Sequence, residues 1–283
     1  MEKNYFLKTT KNEKLQITTF SSYDLQFDRA IIFVHGFKGF KDWGFYPFIG
    51  KYFASNGFYA ITFNFSHNGI GENPIEFTEF EKFEKNTFSL EIEELNEIID
   101  SIRNGFFENL KKDCKVFICG HSRGGAISIL TVSKRSDISA IAVWASISKL
   151  DRYSKRQKEE WRKKGYFEVM NMRTKQIMRL GVDLLDDIEK NSSEKLNIEK
   201  AVKNLNIPFF IVHGDQDLAV PIQEAEQLYQ WADKSKTKFL KIIGTGHTFD
   251  ITHPFTSSNP KFDLLLEQTN RFFLNNLEVS KWN

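Results

Sequence analysis

Six short apolar runs, separated by helical patterns, constrain the fold of this chain more than any other feature. Their residues are apolar at consecutive positions, which is typical of strands that are buried on both faces of a parallel sheet. The runs are Ile31–His35, Phe58–Phe63, Val116–Gly120, Ala140–Ala145, Phe209–His213 and Phe239–Ile243. Strands that alternate with helices predict an α/β fold, with a mostly parallel sheet flanked by helices and joined by right-handed crossovers.

The segments around these runs support the same architecture. Upstream of them, Lys14–Phe20 alternates between polar and apolar residues, which predicts an exposed antiparallel strand near an edge of the sheet. Apolar residues at helical spacing predict helices over residues 92–106, 126–133, 222–232 and 264–277.

The stretch between Ala145 and Ile207 is too long for a plain connection. A crossover between parallel strands needs only about a dozen residues, so the excess predicts a small helical lid inserted at residues 147–200. Its apolar side chains either pack within the insertion or bind the substrate as an adaptable lid. The side chains that we consider for substrate binding are Phe167, Met170, Met172 and Met178.

Composition excludes several classes of function. The 283 residues are expected to form one domain, residues 1–283, and 39 Lys and Arg against 37 Asp and Glu leave a net charge of +2, which argues against nucleic-acid binding. Two cysteines are too few for a disulfide framework or a thiolate-rich zinc site. No run is apolar enough to span a bilayer, and residues 1–20 lack the apolar core of a targeting segment. We therefore expect a cytoplasmic protein that binds no membrane.

The segment Gly120–Gly124 reads Gly-His-Ser-Arg-Gly and matches the pattern Gly-x-Ser-x-Gly. It follows an apolar strand and opens a helical pattern, which is the context of a nucleophile elbow, a tight turn that lifts a serine hydroxyl above the sheet. Ser122 is then a nucleophile, and the alternative is a structural serine that caps the helix.

A serine nucleophile needs a base and an acid that orients the base. Asp217 follows the fifth of the apolar runs and His247 follows the sixth, so the order is Ser122, Asp217, His247. Asp215 is the competing acid and His253 the competing base. The order agrees with the α/β-hydrolase fold and differs from the orders of the chymotrypsin and subtilisin folds.

The oxyanion of such a reaction is held by two backbone N–H groups. One comes from the residue after the nucleophile, Arg123, and the other from the loop after the first parallel strand, at Phe37. The basic side chain of Arg123 also suggests an acidic acyl or alcohol group in the substrate. His67, in a loop rich in Gly and Asn, is a further candidate for substrate binding.

With these motifs in place, residues 15–277 resemble the serine-type α/β-hydrolase superfamily, in its dienelactone-hydrolase-like and feruloyl-esterase-like branch. The resemblance implies an α/β-hydrolase fold, whose mostly parallel sheet has about eight strands. It also implies Ser122 as nucleophile, His247 as base and Asp217 as acid, with Phe37 and Arg123 at the oxyanion hole. Two positions depart from the branch, because dienelactone hydrolases have cysteine where this chain has Ser122, and related feruloyl esterases often have Gln where it has Arg123.

We therefore predict a serine hydrolase that cleaves carboxylic esters through an acyl-enzyme. A prolyl-oligopeptidase-like peptidase, an acyltransferase and a non-catalytic ligand-binding protein are the alternatives. The expected partner is a small-molecule ester, with no cofactor and no metal, and a homodimer is left open.

Overall fold

The computed structural model describes residues 1–22 and 26–277. Within these ranges ten strands are present, of which eight form the main sheet and two, β7 and β8, form a separate hairpin. In chain order the strands are β1 (Glu2–Lys8), β2 (Lys14–Phe20), β3 (Phe27–Val34), β4 (Tyr59–Asn64), β5 (Leu110–His121), β6 (Ala140–Trp144), β7 (Tyr166–Met170), β8 (Ile177–Gly181), β9 (Phe209–Gly214) and β10 (Thr237–Ile242).

Nine helices lie in the same described ranges. They are α1 (Tyr46–Ser55), α2 (Phe80–Glu84), α3 (Phe88–Asn104), α4 (Arg123–Val132), α5 (Lys155–Lys164), α6 (Val182–Asn191), α7 (Ile198–Lys203), α8 (Ile222–Trp231) and α9 (Pro260–Asn275). Caps set several of the boundaries, since the Thr87 hydroxyl accepts from Leu90 N at the start of α3 and Gly105 ends that helix in a left-handed conformation.

The main sheet has the strand order β1-β2-β4-β3-β5-β6-β9-β10. The six strands from β4 to β10 run parallel, while β2 pairs antiparallel with both β1 and β4. This mostly parallel sheet of eight strands is the one predicted. All six parallel strands end at the same edge, so the loops after β3, β5, β9 and β10 converge there.

Successive side chains of each central strand enter two different cores, because they point to opposite faces of the sheet. In β3, Ala30 and Ile32 pack with helices α3, α4 and α8 on one face. Ile31 and Phe33 pack with helices α1 and α9 on the other face. Burial on both faces explains why these strands are apolar at consecutive positions.

The prediction for the antiparallel strand needs one correction. Lys14–Phe20 has the predicted bounds, but it is largely buried, and the edge strand is β1. Phe20 packs against α1, where a Cβ on Gly50 would lie 2.3 Å from the Phe20 ring. The strand is therefore covered by β1 along its edge and by α1 on its face.

The segment between β6 and β9 contains helices α5, α6 and α7 and also the antiparallel hairpin of β7 and β8. The predicted insertion is thus not purely helical. The strand Tyr166–Met170 is rich in aromatic and β-branched residues, which favour strands. Within the described ranges, no helix combines the length and the apolar character that a bilayer crossing requires.

Candidate active site

Ser122 occupies a tight turn between β5 and α4. Its φ of 56° and ψ of −123° are unfavourable for a residue with a side chain, at a cost of about 1–3 kcal/mol. Two glycines make the turn sterically feasible, since a Cβ on Gly124 would lie 2.3 Å from Val34 O and one on Gly120 would lie 2.5 Å from Gly124 O. The local geometry is therefore that of the predicted elbow, at the carboxyl edge of the sheet.

The loop after β3 approaches Ser122 from the neighbouring strand. A Cβ on Gly36 would lie 2.9 Å from Ser122 Cβ, so only glycine fits there without displacement. Phe37 follows directly, and Arg123 is the first residue of α4, whose N–H has no acceptor within its own helix. Phe37, Ser122 and Arg123 line one cavity.

Asp217 lies on the loop after β9, and its side chain is fully buried. Its Oδ2 accepts a hydrogen bond from His247 Nδ1 at 2.7 Å, while Oδ1 accepts from the backbone N–H groups of Ala219 at 2.9 Å and Val220 at 2.8 Å. Burial raises the pKa of this carboxyl, but the hydrogen bonds from His213 and His247 outweigh that effect and hold its pKa well below the ordinary value. Asp217 is therefore an ionised acceptor.

The carboxylate of Asp217 determines the tautomer of His247. An ionised carboxylate only accepts hydrogen bonds, so the proton of the neutral imidazole is on Nδ1. The lone pair on Nε2 is then free to accept a proton. The ring is 24% exposed and lines the same cavity as Ser122, which is the placement expected of a general base.

Two further histidines, His213 and His121, form hydrogen bonds that hold Asp217 and His247 in place. His213 Nε2 lies 2.8 Å from Val220 O and 3.3 Å from Asp217 Oδ2, so it carries a hydrogen that it donates to both acceptors. His121 Nε2 donates to His247 O at 2.9 Å, and burial, with the nearby His247, lowers the pKa of His121 to about 3. His121 therefore holds the backbone of His247 as a neutral ring.

The side chain of Arg123 has a partner of its own within the protein. Its Nη2 donates to Glu91 Oε1 at 2.6 Å, and the guanidinium carbon lies 4.6 Å from the Phe37 ring centre and 5.5 Å from that of Phe88. Burial raises the pKa of Glu91 and the charge of Arg123 opposes that rise. The expectation that Arg123 recognises an acidic substrate group is therefore corrected, because Glu91 already compensates its charge.

Two cavities border Ser122 and His247. The larger has a volume of about 370 Å³ and is lined by Phe37, Lys38, Phe88, Ser122, Arg123, Ile147, Leu150, Arg152, Tyr153, Ala219, Val220 and His247. The smaller has a volume of about 130 Å³ and is lined by Gly36, Phe37, Lys38, Gly39, Trp43, Tyr46, His121, Ser122, His247 and Thr248. Both cavities are therefore accessible to a small molecule that binds beside Ser122.

The four apolar side chains of the insertion that we considered for substrate binding line neither cavity. Phe167 packs against the rings of Tyr153 and Trp161, so it lies one layer behind the cavity wall. The methionines belong to the hairpin of β7 and β8 or to its turn, where one is buried in the core and two are largely exposed. These are Met178, 1% exposed, Met170, 49% exposed, and Met172, 67% exposed. The structure thus corrects their assignment to the cavity.

His67 does not line the described cavities either. Its Nδ1 lies 2.7 Å from the Ser66 hydroxyl oxygen. The hydrogen of that hydroxyl is donated to Glu94. Burial lowers the pKa of His67, and the ring is committed to this loop network. Its assignment to substrate binding is corrected for the same reason.

The alternatives for acid and base have other roles in the structure. Asp215 Oδ1 accepts from Gly244 N at 2.6 Å and so fixes the loop that leads to His247. His253 Nδ1 accepts from Gly44 N at 2.9 Å, and its ring stacks on Trp43. Neither residue makes the contact that joins Asp217 to His247.

The sequence did not reveal most of the cavity wall. Ile147, Leu150 and Tyr153 come from the chain just after β6, and Arg152 lies among them. Their place at the start of the insertion was the available signal, because this segment leaves the carboxyl edge of the sheet beside the elbow. Lys38, directly after Phe37, was also missed. Within the described residues, no group of His, Cys, Asp and Glu side chains is arranged to hold a metal ion.

A family model described as serine aminopeptidase, S33 (Hydrolase_4) matches residues 26–196, which is more than half of the chain. A search of curated proteins finds no match. Solved structures with the same fold include Est1E from Butyrivibrio proteoclasticus, at 15% identity over 97% of this chain and 98% of Est1E, with a TM-score of 0.68. Est1E has also been solved with bound ferulic acid.

Two further structures are similar over most of this chain. One is a monoacylglycerol lipase from Paleococcus ferrophilus, at 14% identity over 93% of this chain and 99% of the lipase, with a TM-score of 0.67. The other is a puromycin-hydrolyzing peptidase from Mycobacterium tuberculosis, at 16% identity over 98% of this chain and 39% of the peptidase, with a TM-score of 0.69. At these identities the similarity shows the fold, and it confirms the predicted α/β-hydrolase architecture.

Proposed function

We propose that this chain, which belongs to the serine aminopeptidase S33 family of α/β hydrolases, hydrolyses carboxylic esters through Ser122, His247 and Asp217. The observation that carries the proposal is the 2.7 Å hydrogen bond from His247 Nδ1 to the buried Asp217, beside a serine held at a φ of 56°. A serine that only caps a helix needs neither the strained turn nor a histidine hydrogen-bonded to a buried carboxylate at the same cavity.

The chemistry follows from the tautomer of His247. Ser122 Oγ attacks the ester carbonyl while His247 Nε2 takes its proton, and the Asp217 carboxylate stabilises the imidazolium that forms. The N–H groups of Phe37 and Arg123 hold the oxyanion, with a loss of about 3–4 kcal/mol expected for removal of one such donor. His247 returns the proton to the leaving alcohol, and a water activated by the same ring then hydrolyses the acyl-enzyme.

Peptide hydrolysis is the second candidate, because the matching family model is named for an aminopeptidase and a puromycin-hydrolyzing peptidase is among the similar structures. An aminopeptidase binds the ammonium group of its substrate, and a carboxylate in the cavity is the usual partner for such a cation. The described residues that line the larger cavity include Lys38, Arg123 and Arg152 but no Asp or Glu. This lining favours an ester over a peptide with a free amino terminus.

The experiment is a comparison of Ser122→Ala with wild type on nitrophenyl esters of increasing acyl length and on aminoacyl nitroanilides. We expect wild type to cleave esters and the variant to lose at least about 1,000-fold in kcat/KM. Ser133→Ala, at the other end of α4, is the matched control and should keep wild-type rates. Faster cleavage of the nitroanilides would favour the peptidase, and acyl transfer to an added alcohol in preference to water would favour an acyltransferase. Turnover of no substrate, with tight ligand binding, would favour a non-catalytic binding protein.

A further inference from the structure

The described residues that line the larger cavity carry positive charges and no negative ones. Three cationic side chains, those of Lys38, Arg123 and Arg152, line it, and none of the other lining residues among the described parts of the chain is Asp or Glu. Cations in a partly enclosed site are costly unless each has a partner. The partners of each cation therefore indicate which charge is available to a ligand.

Two of the three cations are compensated from outside the cavity. Arg123 pairs with the buried Glu91 at 2.6 Å. Arg152 donates to Glu224, whose other oxygen accepts from Ser148 N at 2.7 Å. Both arginines are paired with acids that are not among the lining residues, so neither offers a full unpaired charge.

Lys38 is different. Within residues 1–22 and 26–277 no carboxylate pairs with its ammonium, which donates to Met170 O at 3.0 Å and lies 5.1 Å from the Phe37 ring centre. Burial lowers the pKa of Lys38, and the charges of Arg123 and Arg173 lower it further. An ammonium has three hydrogens to donate, and the carbonyl of Met170 uses one of them. Lys38 thus has donors to spare beside Ser122, on the border of both cavities.

We infer that the ester substrate carries one negative charge on the arm that enters the larger cavity, and that Lys38 pairs with it. The inference rests on the proposed function, which it narrows to anionic esters such as monoesters of dicarboxylic acids. The smaller cavity, with Trp43 and Tyr46 in its wall, takes the uncharged arm. Among the described residues that line the larger cavity, Lys38 is the one cation without a carboxylate partner, so a single carboxylate on the substrate matches it, and the pairing is charge-assisted.

The test compares anionic esters with neutral amides of the same shape. One pair carries the charge on the acyl arm, 4-nitrophenyl hydrogen adipate against its carboxamide. The other carries it on the alcohol arm, 4-carboxyphenyl butanoate against 4-carbamoylphenyl butanoate. The quantity measured is the ratio of kcat/KM for the anionic ester to kcat/KM for the neutral ester, after subtraction of uncatalysed hydrolysis.

The variants are chosen for the backbone at Lys38, whose φ of 56° is left-handed. Asn tolerates this conformation, so Lys38→Asn removes the charge without added strain, and Lys38→Arg keeps the charge. The matched control is Lys175→Asn, because Lys175 has a φ of 60° and lies in the turn of the hairpin, outside the lining of either cavity. Circular dichroism melts check the fold of each variant.

We expect wild type to prefer the anionic member of at least one pair by tenfold or more, and Lys38→Asn to lower that ratio about tenfold, equivalent to about 1.4 kcal/mol. Lys38→Arg and Lys175→Asn should keep the preference. Ser122-dependent hydrolysis with ratios that differ less than twofold between wild type and Lys38→Asn in both pairs would overturn the inference alone. Absence of any Ser122-dependent hydrolysis would overturn the proposed function beneath it.

Discussion

Asp217 and Asp215 lie two residues apart on one loop, but their side chains serve different neighbours. Asp217 accepts from the ring of His247, and Asp215 accepts from the backbone of Gly244. The first contact sets the tautomer of the base, whereas the second holds a loop in place. A sequence pattern places both acids near the histidine, and only the geometry separates their roles.

This separation predicts unequal losses. Asp217→Asn should lower kcat by about 1,000-fold or more, because an amide can donate to His247 and then favours the wrong tautomer. Asp215→Asn keeps an oxygen acceptor for Gly244 N and should cost less than tenfold. Steady-state kinetics on one nitrophenyl ester measures both, and a larger loss for Asp215→Asn would reverse the assignment.

At the scale of elements, the connection from β5 to α4 depends on close backbone contacts. Gly124 has no room for a Cβ, since one would lie 2.3 Å from the backbone oxygen of Val34. A backbone atom cannot move aside as the end of a flexible side chain does. The helix that carries Arg123 is therefore fixed against β3, the strand that leads to Phe37.

We predict that Gly124→Ala lowers the free energy of unfolding by at least about 2 kcal/mol, in the upper part of the range for overpacking. Gly246→Ala is the control, because the nearest atom to a Cβ there is 3.7 Å away and the φ is not left-handed. Urea unfolding followed by circular dichroism gives both values. Equal free energies of unfolding for the two variants would contradict this, because they would mean that the backbone around Gly124 can shift to accommodate a Cβ.

The wall of the larger cavity is a second feature at this scale. Leu150, which is 5% exposed, lines the cavity from the start of the insertion. Met172, which is 67% exposed, belongs to the hairpin turn and lines neither cavity. Specificity should therefore depend on the segment just after β6.

Leu150→Ala should raise kcat/KM for long-chain esters relative to short-chain esters by several-fold, since pocket fit for a methylene is worth about 1–3 kcal/mol. Met172→Ala should leave that ratio within twofold of wild type. A panel of nitrophenyl esters from acetate to decanoate measures the ratio in each variant. A shift with Met172→Ala and none with Leu150→Ala would return the specificity role to the hairpin.

Most of the parallel sheet could be predicted because its strands are buried on both faces and so carry a local signal in every residue. The positions of Ser122, Asp217 and His247 at the ends of strands were predicted from motifs that follow the apolar runs, whereas the order of the strands in the sheet was not predicted. Edge strand β1 could not be predicted, because polar and apolar residues alternate only weakly along it and its place in the sheet depends on pairing with β2. The cavity wall could not be predicted either. Contacts such as that of Tyr153 with Phe167 join residues of the insertion that are not spaced at a regular helical or strand interval in the sequence.

At the scale of the whole molecule, one buried acid couples stability to pH. Glu94 on α3 is 1% exposed and accepts hydrogen bonds from the Ser66 hydroxyl and from Ser66 N at 3.0 Å. Burial raises the pKa of Glu94 to about 7, against the opposing effect of these hydrogen bonds. Its ordinary value is 4.5, so the folded state holds this proton more tightly than the unfolded chain does.

The sign of the pH effect follows from that difference. Glu94 leaves stability unaffected below pH 4.5 and destabilises the fold progressively as pH rises towards about 7, by up to about 3 kcal/mol. Glu94→Gln should therefore gain stability relative to wild type between pH 5 and pH 8. Urea unfolding of both proteins at these two values measures the gain. A difference between the proteins that does not change with pH would contradict the account.

The most direct test of the central claim is covalent labelling of the nucleophile. The intact protein is treated with a fluorophosphonate, digested, and analysed by mass spectrometry, beside Ser122→Ala and Ser133→Ala. We predict a single adduct on Ser122 in wild type and in Ser133→Ala, with loss of esterase activity in proportion to labelling, and no adduct in Ser122→Ala. Two results would contradict the assignment of Ser122 as the nucleophile. One is loss of esterase activity in treated wild type with no adduct on Ser122, and the other is full esterase activity in Ser122→Ala.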